Sequence, residues 1–86
     1  MAPEIRAIKT VDGFRLRVTF KNGEVRFFDM RRFLEKGIFQ ELKNPRYFKK
    51  VRVITGGIEW PHEQDLSADT LYYRGTSKLA GNIPLV

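Results

Sequence analysis

Two dipeptides, Asp12-Gly13 and Asn22-Gly23, constrain this chain more than any other feature. A two-residue type I′ hairpin needs positive φ at both central positions, and Asp-Gly and Asn-Gly are pairs that tolerate it. Between them lies Phe14-Arg15-Leu16-Arg17-Val18-Thr19-Phe20, which alternates apolar and polar residues without a break. A period of two marks a strand buried on one face. With strands over residues 5–11 before it and 24–29 after it, the segment reads as an antiparallel three-stranded meander. Two-residue turns would pair Phe20 with Val25, Val18 with Phe27, Val11 with Phe14 and Ala7 with Val18. Those residues form the expected core layer. Arg6, Ile8, Thr10, Arg15, Arg17, Thr19, Arg26 and Phe28 then share the opposite face. A slip of one residue would exchange the faces, so this assignment is sharp enough to fail.

The pattern after Asp29 turns helical. Asp29 is placed to cap a short helix over residues 30–36, with Phe33 and Leu34 inward and Gly37 as a left-handed stop. Residues 38–43 read as a further turn. Asn44-Pro45 restarts a helix, with asparagine as cap, proline in the first turn, and Tyr47 and Phe48 packed inward. Residues 51–55 read as a strand that Gly56-Gly57 turns into Ile58-Glu59-Trp60, and Pro61 ends the ladder by removing a donor. Asp65 or Ser67 caps a last helix over residues 68–73, closed by Gly75. The whole is an α+β fold: a three-stranded antiparallel meander, short helices, then a C-terminal hairpin and a short helix. Residues 1–75 make one compact domain and 76–86 a loosely ordered tail, in which Ile83, Leu85 and Val86 could dock on a partner.

Composition narrows the function. The 86 residues contain no cysteine, which excludes disulfides, thiolate metal sites and a catalytic thiol. With no signal-peptide core over residues 1–6 and no apolar run long enough for a bilayer, a cytoplasmic setting and no membrane association are expected. The net charge of +6 is uneven, because residues 1–53 carry fourteen Lys/Arg against six Asp/Glu, and residues 54–86 two against four. A basic half of this kind attracts nucleic acid or an acidic protein.

Residues 56–66 hold the only tryptophan, the only histidine and three of the ten acidic residues. Glu59, His62, Glu63, Asp65 and Asp69 are close in sequence, yet their spacing fits no metal or acid–base motif. Gly56-Gly57 lacks the pattern of a phosphate loop, and no serine or threonine has His and Asp partners in nucleophilic spacing. Trp60 is read as a core or boundary anchor whose indole N–H finds an acceptor. No catalytic residue, metal site or cofactor is therefore expected. The expected interaction surface comprises Arg6, Arg15, Arg17, Arg26 and Phe28, with Trp60 at its rim, since arginines interleaved with an aromatic suit phosphate or base contacts.

The order of motifs resembles the small prokaryotic family known as domain of unknown function 2442. The resemblance rests on Asp12-Gly13 with its alternating strand, Phe20-Lys21-Asn22-Gly23-Glu24, and Phe28-Asp29-Met30 leading to Gly37-Ile38-Phe39. Its last part is Tyr47-Phe48 followed by Ile58-Glu59-Trp60-Pro61 and Asp65-Leu66-Ser67-Ala68-Asp69-Thr70-Leu71-Tyr72. It implies a compact α+β domain and no established enzyme activity. Longer relatives append a helix-turn-helix domain, and some short ones form half of paired small proteins resembling toxin–antitoxin modules. The family commonly has glycine near positions 62–63, where this chain has His62-Glu63. The reading that follows is a non-enzymatic bacterial protein-interaction or regulatory module, monomeric or weakly dimeric, with a small protein partner. The alternative is a nucleic-acid-binding module on the same basic face, and the third reading is a small metal-dependent enzyme.

Overall fold

A computed structural model describes residues 1–78. Strands β1 (Ile5–Val11), β2 (Arg15–Phe20) and β3 (Val25–Asp29) form one antiparallel sheet in the order β1-β2-β3. Two 3-10 segments follow, Arg31–Phe33 and Gly37–Lys43, and then helix α1 (Pro45–Phe48). Strands β4 (Arg52–Ile54), β5 (Gly57–Glu59) and β6 (Asp65–Ser67) make a second antiparallel sheet, and helix α2 (Ala68–Arg74) follows directly. The α+β expectation holds. The last strand, β6, is an addition to it: the expected C-terminal hairpin is the first half of a three-stranded sheet. The docking residues expected at Ile83, Leu85 and Val86 lie outside the described residues.

The first meander forms as expected but in a different register. Thr19 pairs with Val25 and Val11 with Arg15, so each hairpin loop holds three residues where two were expected. The reason is visible at Asn22-Gly23. The Phe20 carbonyl accepts from Gly23 N–H at 2.9 Å, Phe20 N–H donates to the Glu24 carbonyl at 2.8 Å, and Gly23 sits at φ 92°. That is a three-residue loop with glycine in the left-handed position, the next most common hairpin connection after the two-residue turns. The first loop leaves out Asp12, Gly13 and Phe14, with Gly13 and Phe14 both at positive φ. A slip at each end of β2 leaves β2 facing as expected and turns over β1 and β3. Leu16, Val18 and Phe20 are fully buried; beside them lie Ile8, Arg26 and Phe28, not Ala7, Val25 and Phe27.

The same loop closes the second sheet. Trp60 accepts from Glu63 N–H at 3.0 Å and donates to the Gln64 carbonyl at 2.9 Å, with Pro61 at the first turn position that proline favours. Glu63 then holds the place of Gly23, at φ 76°. A side chain in this region costs about 1 kcal/mol. Glu63→Gly is therefore expected to raise stability by roughly that amount, seen as a higher urea midpoint with unchanged slope.

One core joins the sheets: Leu16, Val18, Phe20, Phe28 and Met30 meet Leu42, Phe48, Ile58, Trp60 and Leu71. Asn44 caps α1, accepting from Arg46 N–H at 2.9 Å, and Ser67 caps α2, accepting from Thr70 N–H at 3.1 Å. Asp65, the other candidate cap, instead lies in β6 opposite Glu59. Gly57 is required for a reason the sequence did not show. A Cβ there would overlap the Leu66 carbonyl across the β5–β6 pair. Thr76, placed in the tail by the sequence, exchanges two backbone hydrogen bonds with Phe27, at 2.7 and 2.9 Å, and so joins the outer edge of β3.

Candidate interaction surface

The register decides which side chains share the outer face of the first sheet. Its rows across β1, β2 and β3 are Val11-Arg15-Asp29, Lys9-Arg17-Phe27 and Ala7-Thr19-Val25. Ala7, Lys9 and Arg17 are exposed, and Val11, Val25 and Phe27 are half-buried without joining the core. The face is thus open, basic and partly apolar, with one aromatic ring at its edge strand.

This matches the expected surface in kind and differs in membership. Arg15 and Arg17 lie on it. Arg6 sits at a β-bulge between Ile5 and Ala7 and is exposed. Arg26 and Phe28 project to the other side. Phe28 is core, stacked on Phe33 at 5.9 Å, and the Arg26 guanidinium lies 4.4 Å over the Tyr72 ring. Lys9 and Phe27 take the places that Arg26 and Phe28 were expected to fill. Trp60 is fully buried, with its indole N–H donating to the Phe48 carbonyl at 2.8 Å, so it anchors the core and offers no surface.

At the Asp29 end of the face lies a depression of about 300 Å³ lined by Arg15, Phe27, Phe28, Asp29, Arg31, Arg32, Arg74 and Thr76. Four arginines against one aspartate leave its lining at net +3. Asp29 holds Arg31 through both carboxylate oxygens, the shortest contact being 2.6 Å. The Arg31 side chain, with a smaller pull from Arg15, keeps the Asp29 carboxyl below its ordinary range. The Arg15 Nε–H donates to the Asp12 carbonyl at 2.8 Å. Arg74 arrives from the end of α2, far along the chain from the other three arginines.

The model of the family described as "Protein of unknown function (DUF2442)" matches residues 5–77. The chain belongs to this family. The match runs from the first residue of β1 past the Thr76 bridge, so it takes in both sheets and α2. No curated protein and no solved structure matches the chain.

Two polar clusters complete this DUF2442 domain. In the first, Gln64 is 1% exposed and wholly satisfied. Its carbonyl accepts from the Tyr47 hydroxyl at 2.6 Å, and its amide donates to the Ile38 carbonyl at 2.9 Å and to Glu41 at 3.0 Å. His62 stacks on Tyr47 and its Nδ1 lies 2.6 Å from Glu41. Donation from Gln64, then from His62, holds the Glu41 carboxyl below its ordinary value. Among the described residues no three of His, Cys, Asp and Glu gather as metal ligands would, and no helix is long and apolar enough to cross a membrane.

In the second cluster, the Tyr72 hydroxyl donates to Glu24, which also pairs with Arg26 at 3.6 Å. Tyr72 is the main cause of a lowered Glu24 pKa, and Glu24 the main cause of a raised Tyr72 pKa. A lowered carboxyl pKa contributes stability that is complete above the ordinary value of 4.5 and is lost as pH falls through the folded value. A raised phenol pKa contributes stability complete below the ordinary value of 10.0 and lost as pH rises through the folded value. The pair therefore stabilises the fold between those limits. Tyr72→Phe is expected to flatten the fall in thermal midpoint at both extremes, measured by circular dichroism.

Proposed function

We propose that the chain is a non-enzymatic interaction module that docks an acidic protein partner on the outer face of its first sheet. The observation that carries this reading is the open row Lys9-Arg17-Phe27, which sets two cations beside a half-exposed aromatic ring. Arginine and phenylalanine are enriched where proteins meet, and complementary charge speeds encounter. Stacking platforms for single-stranded nucleic acid carry several aromatics for successive bases, whereas this face carries one, which favours a protein. A regulatory role within a pair of small proteins fits the same surface. The test is recovery of the tagged protein from its native host at native expression, beside a Lys9→Glu, Arg17→Glu variant. The wild type should bring down one partner in constant proportion and the variant should lose it. Equal recovery with both proteins, or a lone monomer with both, would overturn the reading. A salt-sensitive gel shift with RNA or duplex DNA would replace it with the nucleic-acid alternative.

A further inference from the structure

We infer that the arginine-lined depression beside β3 is a binding site for an organic phosphate monoester. The inference rests on the interaction reading and gives the chemistry of one group that docks at the end of the face.

Four arginines line a space of about 300 Å³ with one aspartate among them. Like charges brought together repel, and an anion between them removes that repulsion. Two of the four are already oriented. Asp29 grips one edge of Arg31, whose side chain remains 55% exposed, so the rest of its donor fork is free for a ligand. The Asp12 carbonyl holds Arg15 by its Nε–H. Arg32 and Arg74 have no carboxylate partner among the described residues, although Arg32 lies over the Phe33 ring. Guanidinium forks suit the paired oxygens of a phosphate or carboxylate, and several of them favour a dianion over a single carboxylate.

Size and polarity narrow the class further. A site of this volume is at the lower end of small-molecule pockets, so it takes a phosphate with a ring's worth of carbon. The half-buried Phe27 ring supplies an apolar wall for that carbon. An ester is thereby favoured over inorganic phosphate. The group could be borne by a modified side chain of the partner or by a free small molecule, since both present the same phosphate ester.

Calorimetric titration of the whole chain at low salt, with phenyl phosphate, inorganic phosphate and benzoate as probes, tests the site. Phenyl phosphate should saturate at one equivalent and bind more tightly than either other probe. Arg32→Ala and Arg74→Ala should each weaken it about tenfold, as expected for loss of one charge-assisted hydrogen bond. Phe27→Ala should weaken phenyl phosphate and leave inorganic phosphate unchanged. Tighter binding of a phosphotyrosyl peptide than of phenyl phosphate assigns the group to a protein partner, and equal binding assigns it to a free ester. Either result upholds the site. Absence of saturation, or affinity unchanged in both arginine variants with native circular dichroism, overturns it. Lys9→Glu, Arg17→Glu should lose the partner yet still bind phenyl phosphate, because neither residue lines the depression. Failure of the site is thus separable from failure of the docking face.

Discussion

Trp60→Ala is expected to destabilise the domain by about 4 kcal/mol, the middle of the range for aromatic-to-alanine changes in a core. Trp60 is fully buried, lies stacked 5.9 Å from Phe48, and sits where the two sheets share their core. Its removal leaves a cavity and also orphans the Phe48 carbonyl that accepts the indole N–H. A domain of 86 residues has roughly 4–13 kcal/mol of total stability, so this one change removes a large part of it. Trp60→Phe keeps most of the volume and loses the hydrogen bond, and should cost about 1–2 kcal/mol. Urea unfolding followed by circular dichroism, which needs no tryptophan signal, separates the two. An alanine variant no weaker than the phenylalanine variant would show that Trp60 does not join the sheets.

Gln64→Leu is expected to cost about 2–3 kcal/mol, a large penalty for a residue with no charge. The leucine would leave the buried Tyr47 hydroxyl without its acceptor and the partly buried Ile38 carbonyl without its donor. Gln64→Glu makes a sharper test. It places a buried carboxylate where the amide now donates to Glu41, so burial and repulsion raise the new group's pKa in the folded state. A raised folded pKa contributes stability only when the group is protonated. That variant should therefore gain stability relative to wild type as pH falls from 7 towards 5, read from urea midpoints across that range. A variant with the wild type's pH profile would mean that Gln64 does not face Glu41.

These residues show how far the sequence could be read. Turn positions, the alternation of β2, the Asn44 cap, and the inward Tyr47 and Phe48 follow from local chemistry and were legible, whereas Trp60 was read both as a core anchor and as the rim of the surface, and its full burial leaves only the first. Register was not. Asp12-Gly13 and Asn22-Gly23 permit loops of two or three residues, and choosing between them turns over both neighbouring strands. The outer face was therefore expected in the right place with four wrong members, Ile8, Thr10, Arg26 and Phe28. Gln64 gave no signal, because its partners Ile38, Glu41 and Tyr47 are brought to it only by the fold. Strand β6 was hidden too, since Asp65-Leu66-Ser67 has three residues and a helix cap at its end. Arg74 and Thr76 reach the depression through long-range closure, which no local pattern announces.

The strand order has a consequence for how this chain assembles. Every strand in both sheets pairs with a sequence neighbour, so each hairpin closes only a short loop and loses little chain entropy in doing so. Among the described residues the three hydrogen-bonded joins of longest separation are Ala2 to Asp69, Phe27 to Thr76, and Glu24 and Arg26 to Tyr72. All three involve α2 or the residues just beside it. The two meanders can therefore form quickly and separately, and the docking of α2 adds the longest-range ties to a core that both sheets already share. Because Arg74 and Thr76 travel with that helix, the arginine depression is complete only once α2 has docked. A newly made chain would offer its sheet face early and its anion site late.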